Sequence, residues 1–195
     1  MNHLQDGKNF LQPSNGRYAP RQLRILQVAS EAAPIRSGIA RSIEQLRSGL
    51  QQRGHRVDVV AHPGVRRVTV GELRLYGLVF ELRQLARWIR GYDVIHLHGS
   101  APSFSDIFLI FAHLMRGRAL LVYTHHCDIH FGPVGPLNAV YNALHHRLST
   151  SADAVISTSF DCAASLGVDE QVSVIPLGVD IARFMTTRAK DQLLT

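Results

Sequence analysis

The sequence has few cysteines, few lysines and no long hydrophobic run, and each shortage excludes a class of protein. Its 195 residues include two cysteines, Cys127 and Cys162, which form neither a disulfide framework nor a CxxC motif and which fit a reducing compartment. The most apolar run, Ile107 to Met115, is far shorter than the roughly 20 residues that span a bilayer. Residues 1–20 are polar and lack the apolar segment of a signal peptide. We therefore expect a soluble, cytoplasmic protein.

Acidic residues are scarce relative to basic ones. Asp and Glu number 15 against 21 Lys and Arg, which gives a net charge of +6. Only Lys8 and Lys190 are lysines, so nearly all of the positive charge is arginine. This balance favours anionic partners such as phosphate groups, nucleic acid or an anionic membrane surface. Because no zinc finger or aromatic RNA-binding motif accompanies the arginines, we do not expect nucleic acid as a partner.

Hydrophobic residues make up 46% of the chain, enough for a core, and β-rich runs alternate with amphipathic stretches. The pattern predicts strands over 24–29, 56–61, 93–97, 119–124, 154–158 and 172–175, with a short strand or hairpin within 65–75. It predicts helices over 38–53, 78–90, 106–115, 137–148 and 162–166, the first ending at Gly54. Such alternation is typical of an α/β domain with a Rossmann-like parallel sheet and helices on both faces. Ligands of such sheets bind beyond the carboxyl ends of the strands.

The turn after the first strand is one candidate binding site. Gly38 opens the predicted helix, where backbone N–H groups and the helix dipole could receive a phosphate. The segment is neither GxGxxG nor a Walker loop, so the dinucleotide and P-loop interpretations lose their usual support. The alternative is that Ser37 only caps the helix and Gly38 only eases a turn.

Histidines are concentrated in the second half of the chain, eight of the eleven lying between His96 and His146. His96 and His98, together with a distant histidine and Asp128, resemble the ligand set of a metal-dependent hydrolase. Against that hypothesis, metallohydrolase barrels run to about 250 residues, and no HExxH motif is present. Packing in the core or at the surface is the ordinary role for most of these histidines.

An arginine face is predicted on the second helix. Arg83, Arg87 and Arg90 recur at helical spacing opposite the apolar stripe. A solvated helix face is the usual explanation of this pattern, and peripheral contact with an anionic membrane is the alternative.

Taken together, the motifs over 24–184 resemble the N-terminal domain of the family-4 glycosyltransferases of GT-B architecture. Residues 1–23 then form a disordered lead-in and residues 185–195 a truncated linker or tail. The resemblance is carried by RILQVA, PIRSGIA, RGHRVDVVA, YDVIHLHGS, LVYTHHCD, ADAVISTS and VSVIPLGVDIARF, in that order.

The resemblance implies a retaining hexosyltransferase that needs neither metal nor other cofactor, in which two Rossmann-like domains face each other across a cleft. The N-terminal domain receives a sugar or lipid-linked acceptor, and the C-terminal one grips the nucleotide-sugar donor. By the same resemblance His126 contacts the transferred sugar near the reaction centre and is the catalytic candidate. The other implied substrate-binding residues, on the phosphate loop and the same rim, are Ser37, Gly38, Ile39, His98, Asp128 and Ser159.

The sequence departs from this family at two points. Ser37 stands where the first glycine of a Gly-Gly loop is usual, and the Glu-x7-Glu motif of the donor-binding domain is absent. We therefore expect the acceptor-side half of a transferase, from a truncated or split enzyme, with little transfer on its own. A non-catalytic glycan-binding or acceptor-binding module is the alternative, besides the metal-dependent hydrolase.

Overall fold

The computed structural model describes residues 21–30, 37–61, 67–70, 73–76, 89–99, 104–129, 135–167 and 172–178. Its strands are β1 (Arg24–Ala29), β2 (Arg56–Ala61), β3 (Arg67–Val70), β4 (Leu73–Tyr76), β5 (Val94–Gly99), β6 (Leu120–His125), β7 (Ala154–Ser157) and β8 (Val172–Val174). Its helices are α1 (Gly38–Gln52), α2 (Phe104–Met115), α3 (Gly135–Ser149) and α4 (Phe160–Ser165). None of these described helices is long and apolar enough to cross a membrane.

Six strands form one parallel sheet in the order β2-β1-β5-β6-β7-β8. This arrangement confirms the predicted Rossmann-like α/β fold. Strands β3 and β4 form a separate antiparallel hairpin, as predicted for the segment 65–75. The element ends differ from the predicted ones by one or two residues, and β5 continues to Gly99, so that His98 belongs to the strand.

Alternation along the strands gives the sheet two different faces. Leu26, Ile95, Leu97 and Leu121 point to one face, where they form the main hydrophobic cluster with Leu109 of α2. We call this side, which α2 and α3 cover, the helix face. Burial of each such leucine or isoleucine contributes roughly 1.5–3 kcal/mol, so this cluster is a substantial source of stability.

The opposite side of the sheet, which we call the cavity face, carries Ile25, Val94, His96 and Val122. Helix α1 lies over it and turns Ser42, Gln45, Leu46 and Leu50 toward the space between helix and sheet. Helices therefore flank both faces of the sheet, as the sequence predicts.

The ends of α1 follow from its sequence. The Ser37 side chain accepts a hydrogen bond from the amide of Ala40 at 3.1 Å and so caps the helix. Beyond the other end Gly54 has a φ of 86°, and its amide donates to the carbonyl of Gln51. The predicted glycine stop is confirmed, because only glycine adopts this conformation without strain.

Carboxylates tie the strands together at the amino edge of the sheet. Asp93, just before β5, accepts hydrogen bonds from the amide of Arg24 and the guanidinium of Arg21, both at 2.8 Å. Asp153, just before β7, accepts from the amide of Leu121 and pairs with Arg116. The hydrogen bond from the Leu121 amide is the first reason that the pKa of Asp153 is lowered. At the amino edge, the carboxylates of Asp93 and Asp153 thus hold neighbouring strands together.

Several predictions fall outside the described residues. They are the helix over 78–90 except for Ile89 and Arg90, the arginines Arg83 and Arg87, His130, the lead-in before residue 21, and the tail over 185–195.

Candidate active site

The strand order reverses between β1 and β5, which are neighbours although β2 follows β1 in the chain. In an open parallel sheet such a reversal leaves a crevice at the carboxyl ends of the two strands, where ligands bind. Ser30, His98 and Gly99 lie at this edge and are all buried. The topology therefore predicts a ligand site at the carboxyl ends of β1, β5 and β6.

A cavity of about 620 Å³ lies on the cavity face. Its walls are α1, the sheet and the segment 175–178 that follows β8. Most of its lining is apolar; the sheet contributes the polar residues His96, His98, Thr124 and Thr158, and α1 contributes Ser42 and Gln45. A mostly apolar cavity with a few convergent polar groups is the usual form of a small-molecule site.

Three histidines form a contiguous group on the cavity face. The rings of His96 and His98 stack with their centroids 4.2 Å apart, and Nδ1 of His98 lies 3.5 Å from Nε2 of His126. His96 is held by a 2.7 Å hydrogen bond between its Nε2 and Oγ1 of Thr124. We call His96, His98 and His126 the histidine trio.

The trio is uncharged at neutral pH. Burial lowers the pKa of His96 and of His126 to about 4 and also lowers that of His98. Neighbouring histidine rings lower the pKa of His96 and of His98 further, since two imidazolium charges so close together would repel each other. Within the described part of the chain, no carboxylate hydrogen-bonds to these rings. Neutral imidazoles of this kind can donate or accept a hydrogen bond to a hydroxyl without bringing a charge.

Two buried polar side chains near the trio have no hydrogen-bond partner among the described residues. They are the amide of Gln27, which lies opposite His96 in the sheet register, and Nε2 of His98. An unpaired buried polar group costs roughly 1–3 kcal/mol. His98 lines the cavity, so a polar ligand there would offset the cost at its ring.

The start of α1 lies at the same edge. The side chain of Ser37 caps α1, which is the role that the alternative interpretation of the sequence gives to this residue. Gly38 is exposed, and a Cβ built on it would meet no atom within 4 Å among its described neighbours. Ile39 follows and is half-buried. The first amides of a helix lack partners within it, so this end can still receive an anion.

Ser159 has the same kind of role at the next helix. Its Oγ accepts a hydrogen bond from the amide of Cys162 at 3.1 Å and caps α4. The thiol of Cys162 in turn donates to the carbonyl oxygen of His126 at 3.4 Å. Ser159 therefore supports the backbone beside His126 through α4.

The helix face carries a second polar group at the same edge of the sheet. His145 of α3 donates from Nδ1 to Oδ1 of Asp106 at 2.5 Å and accepts at Nε2 from the hydroxyl of Tyr123 at 2.6 Å. Tyr141 donates to the other oxygen of Asp106 at 2.5 Å. This Asp-His-Tyr chain joins α2, α3 and β6 inside the domain.

The Asp-His-Tyr chain leaves no room for a side chain at position 99, where the sequence has Gly99. A Cβ built on it would overlap the ring and hydroxyl of Tyr123, so a side chain at position 99 would force Tyr123 to move. The glycine is needed here for close approach rather than for its backbone conformation.

The residue after β6, His126, and the last residue of the strand, His125, belong to opposite faces. His125 lies 3.2 Å through Nε2 from Oδ1 of Asp128, and Nε2 of His146 hydrogen-bonds the same oxygen at 2.7 Å. Hydrogen bonding to His146 lowers the pKa of Asp128 against the opposing effect of its burial. Asp128 therefore belongs with His125 and His146.

Of the residues singled out by resemblance, His98 and His126 come into contact, whereas Ser37, Gly38 and Ile39 begin α1 and Ser159 caps α4. The HxH pair and Asp128 of the hydrolase hypothesis do not form one cluster in the described structure, since Asp128 pairs with His146. Sequence reasoning missed Thr124, Asp106, His145 and His146. His145 and His146 were visible as adjacent histidines on a helix, but nothing in the sequence says which strand end they meet.

Solved structures with TM-scores above 0.5 support the architecture, and a third similar structure scores just below that value. An alpha-glucosyltransferase in complex with UDP-glucose and DNA containing an abasic site has a TM-score of 0.56 and 13% identity, with 85% of this chain and 45% of that chain covered. The catalytic domain of Starch Synthase IV from Arabidopsis thaliana, bound to ADP and acarbose, has a TM-score of 0.51 and 14% identity, with 84% and 53% covered. Anabaena HepE in complex with UDP-glucose has a TM-score of 0.49 and 18% identity, with 83% and 45% covered.

The chain thus spans about half the length of the solved structures that it matches. No curated protein matches it significantly in sequence. The sequence model of Glycosyltransferase Family 4 matches residues 36–183, which include α1, the carboxyl ends of all the strands in the main sheet except β1, and the histidine trio. Because that match covers well over half of the 195 residues, the chain belongs to Glycosyltransferase Family 4.

Proposed function

We propose that this domain is the acceptor-side half of a retaining hexosyltransferase that moves a sugar from a nucleotide-sugar donor to a glycan or lipid-linked acceptor. The observation that carries the proposal is the contact between His98 and His126 at the carboxyl edge, beside a 620 Å³ cavity and inside the segment matched to the family. The solved structures of the same fold are in complex with UDP-glucose or with ADP and acarbose.

His126 is the proposed catalytic residue. Its ring is half-buried, and burial keeps it neutral, with a pKa of about 4. A neutral imidazole can hydrogen-bond a hydroxyl of the transferred sugar and orient it while the bond to phosphate breaks. His98 lies against His126 and limits the positions its ring can take. Positioning of this kind lowers a barrier because the orientation entropy is lost before the reaction begins.

The start of α1 is the proposed contact with the donor diphosphate. The cap formed by Ser37 occupies the amide of Ala40, so the preceding amides of Gly38 and Ile39 remain for an anion. The helix dipole places partial positive charge at this end. Negative charge that accumulates on the departing diphosphate would be stabilised there.

A second domain is part of the proposal, because the chain spans 45% to 53% of the solved structures it matches. In the proposal that domain binds the nucleotide and completes the cleft, whether it lies on the same polypeptide or on another. A lipid-linked acceptor would bring the complete enzyme to the cytoplasmic face of an anionic membrane. Sedimentation with phosphatidylglycerol vesicles, compared with phosphatidylcholine vesicles, tests this last point.

The test is reconstitution. The neighbouring coding region is searched for a second α/β domain, which is then produced with this chain and supplied with labelled UDP-glucose or ADP-glucose and candidate acceptors. We expect transfer by the pair, none by either part alone, and a product whose anomeric configuration, read by NMR, equals that of the donor. Turnover by this chain alone would contradict the proposed division of labour, and an inverted product would contradict the retaining mechanism.

Calorimetry with the same acceptors separates the two remaining functions. Tight acceptor binding without transfer by the pair would support a binding module instead. Hydrolysis that depends on added metal would support the hydrolase hypothesis instead.

A further inference from the structure

We propose that His125, Asp128 and His146 form a binding site for a divalent transition-metal ion, coordinated through Nε2, Oδ1 and Nε2. These three atoms lie within 4.8 Å of one another. The site is separate from the proposed transferase chemistry, since it lies on the helix face and includes none of the histidine trio.

The ligand set suits zinc or a neighbouring metal. Imidazole nitrogen and carboxylate oxygen are the ligands that zinc takes in proteins, at about 2.0–2.2 Å. Tetrahedral coordination at that distance separates ligand atoms by about 3.4 Å. The separation between His125 Nε2 and Asp128 Oδ1 is 3.2 Å, while that between Asp128 Oδ1 and His146 Nε2 is 2.7 Å. The pair of Asp128 and His146 would need to open by less than an ångström, and the two Nε2 atoms, which lie within 4.8 Å of each other, would adjust to the same spacing.

A second observation points to a ligand. His125 is fully buried, and neither of its ring nitrogens has a hydrogen-bond partner among the described residues, although Nε2 is aimed at Asp128. Such a buried polar ring is destabilising unless something satisfies it. A metal cation bound to Nε2 of His125 would accept the lone pair of that nitrogen, and its positive charge would lie against the carboxylate of Asp128.

The chemistry of the ligands makes binding depend on pH. A metal ion binds an unprotonated imidazole nitrogen and an ionised carboxylate, so the affinity for zinc should weaken as the pH falls.

The scaffold around the site is rigid. His146 and Asn142 lie one turn apart on α3, and Asn142 holds Ile129 through two hydrogen bonds, at 3.1 Å to its amide and 3.0 Å to its carbonyl. The segment 126–129 is thus tied to α3 at Ile129 as well as at Asp128. A bound ion would fix that segment, and with it the backbone of His126, without taking part in transfer.

The experiment titrates the full chain, freed of metal with a chelator, with zinc chloride in a calorimeter. A parallel titration with cobalt(II) is followed by its visible absorption, because a tetrahedral site gives strong bands. We expect one ion per chain and a rise in the thermal midpoint with zinc. The variants His146→Gln and Asp128→Asn should each weaken binding at least ~10-fold, since even groups behind a ligand change affinity by 10–100-fold. Both positions are half-buried, so these variants should fold.

The matched control is His113→Gln. His113 lies on α2 and bonds to Ser151, away from the site, so this variant should bind zinc like the parent. Absence of stoichiometric binding in the parent would overturn the proposal. So would binding that His146→Gln and Asp128→Asn leave unchanged, or that His113→Gln weakens equally, because the ion would then be held elsewhere.

Discussion

At the carboxyl edge of the sheet, the histidines on the two faces have different partners. On the cavity face His96, His98 and His126 contact one another and a threonine. On the helix face His125, His145 and His146 each lie within 3.2 Å of a carboxylate oxygen. The first set lies beside a cavity and hydrogen-bonds to no carboxylate among the described residues, whereas the second lies against carboxylates where helices meet the sheet. Histidine content alone therefore does not identify an active site, because the partners decide what each ring can do.

The adjacent residues His125 and His126 show how this separation arises. Side chains of consecutive residues along a strand and just beyond it point to opposite sides. His125 is the last residue of β6 and joins the acidic set, while His126 contacts His98. A single residue step in the chain thus divides the edge into a region suited to substrate and a region suited to structure or metal.

The largest expected effect is on transfer. His126→Ala in the complete two-domain enzyme should lower kcat by about 10²–10³-fold, the usual cost of removing one hydrogen-bonding group from a reaction centre. Its effect on the free energy of unfolding should stay below about 1 kcal/mol, because the ring is half-buried and hydrogen-bonds only weakly. Steady-state kinetics and urea unfolding measure the two quantities. A large loss of stability with little loss of kcat would show that His126 has a structural role, and the proposed difference between the two sets of histidines would be wrong.

The next effect is on stability. Asp106→Ala should lower the free energy of unfolding by roughly 1–3 kcal/mol, since it leaves His145 and Tyr141 without the carboxylate that both donate to. Glu44→Ala is the control, because Glu44 is exposed and, among the residues that the structure describes, pairs with Arg47 alone, at 3.5 Å, so its loss should cost about 0.5 kcal/mol or less. Equal effects of the two substitutions would show that the Asp-His-Tyr chain contributes little.

The remaining effect is confined to a window of pH. The pKa of His96 is about 4 in the folded protein and ordinarily 6.5. Between those values the unfolded chain binds a proton that the folded one does not, so this residue makes stability rise with pH across the window and adds nothing to the slope below it. His96→Gln should reduce that slope by up to about 1.4 kcal/mol per pH unit. Urea unfolding at several pH values from 4 to 6.5 measures it, and an unchanged slope would mean that His96 titrates normally.

Much of the fold could be predicted from the sequence because its signals are local. The apolar alternation of 24–29 and the stripe with its terminal Gly54 are properties of neighbouring residues, and both elements were found within one residue. The pairing of His145 with Tyr123 and of His146 with Asp128 could not be predicted, because it depends on how α3 lies across the end of β6. The position of Asp128 after His126 suggested one site, yet the side chain of Asp128 bonds to α3.

The most direct test of the two-face account is nitrogen-15 NMR of the histidine side chains in the complete enzyme. Addition of UDP-glucose and an acceptor should shift the ring signals of His98 and His126 and leave those of His125 and His146 in place. Addition of zinc alone should shift the signals of His125 and His146 and leave the other two unchanged. If substrate shifted the signals of His125 and His146 as much as those of His98 and His126, the edge would be one site and the account would be wrong.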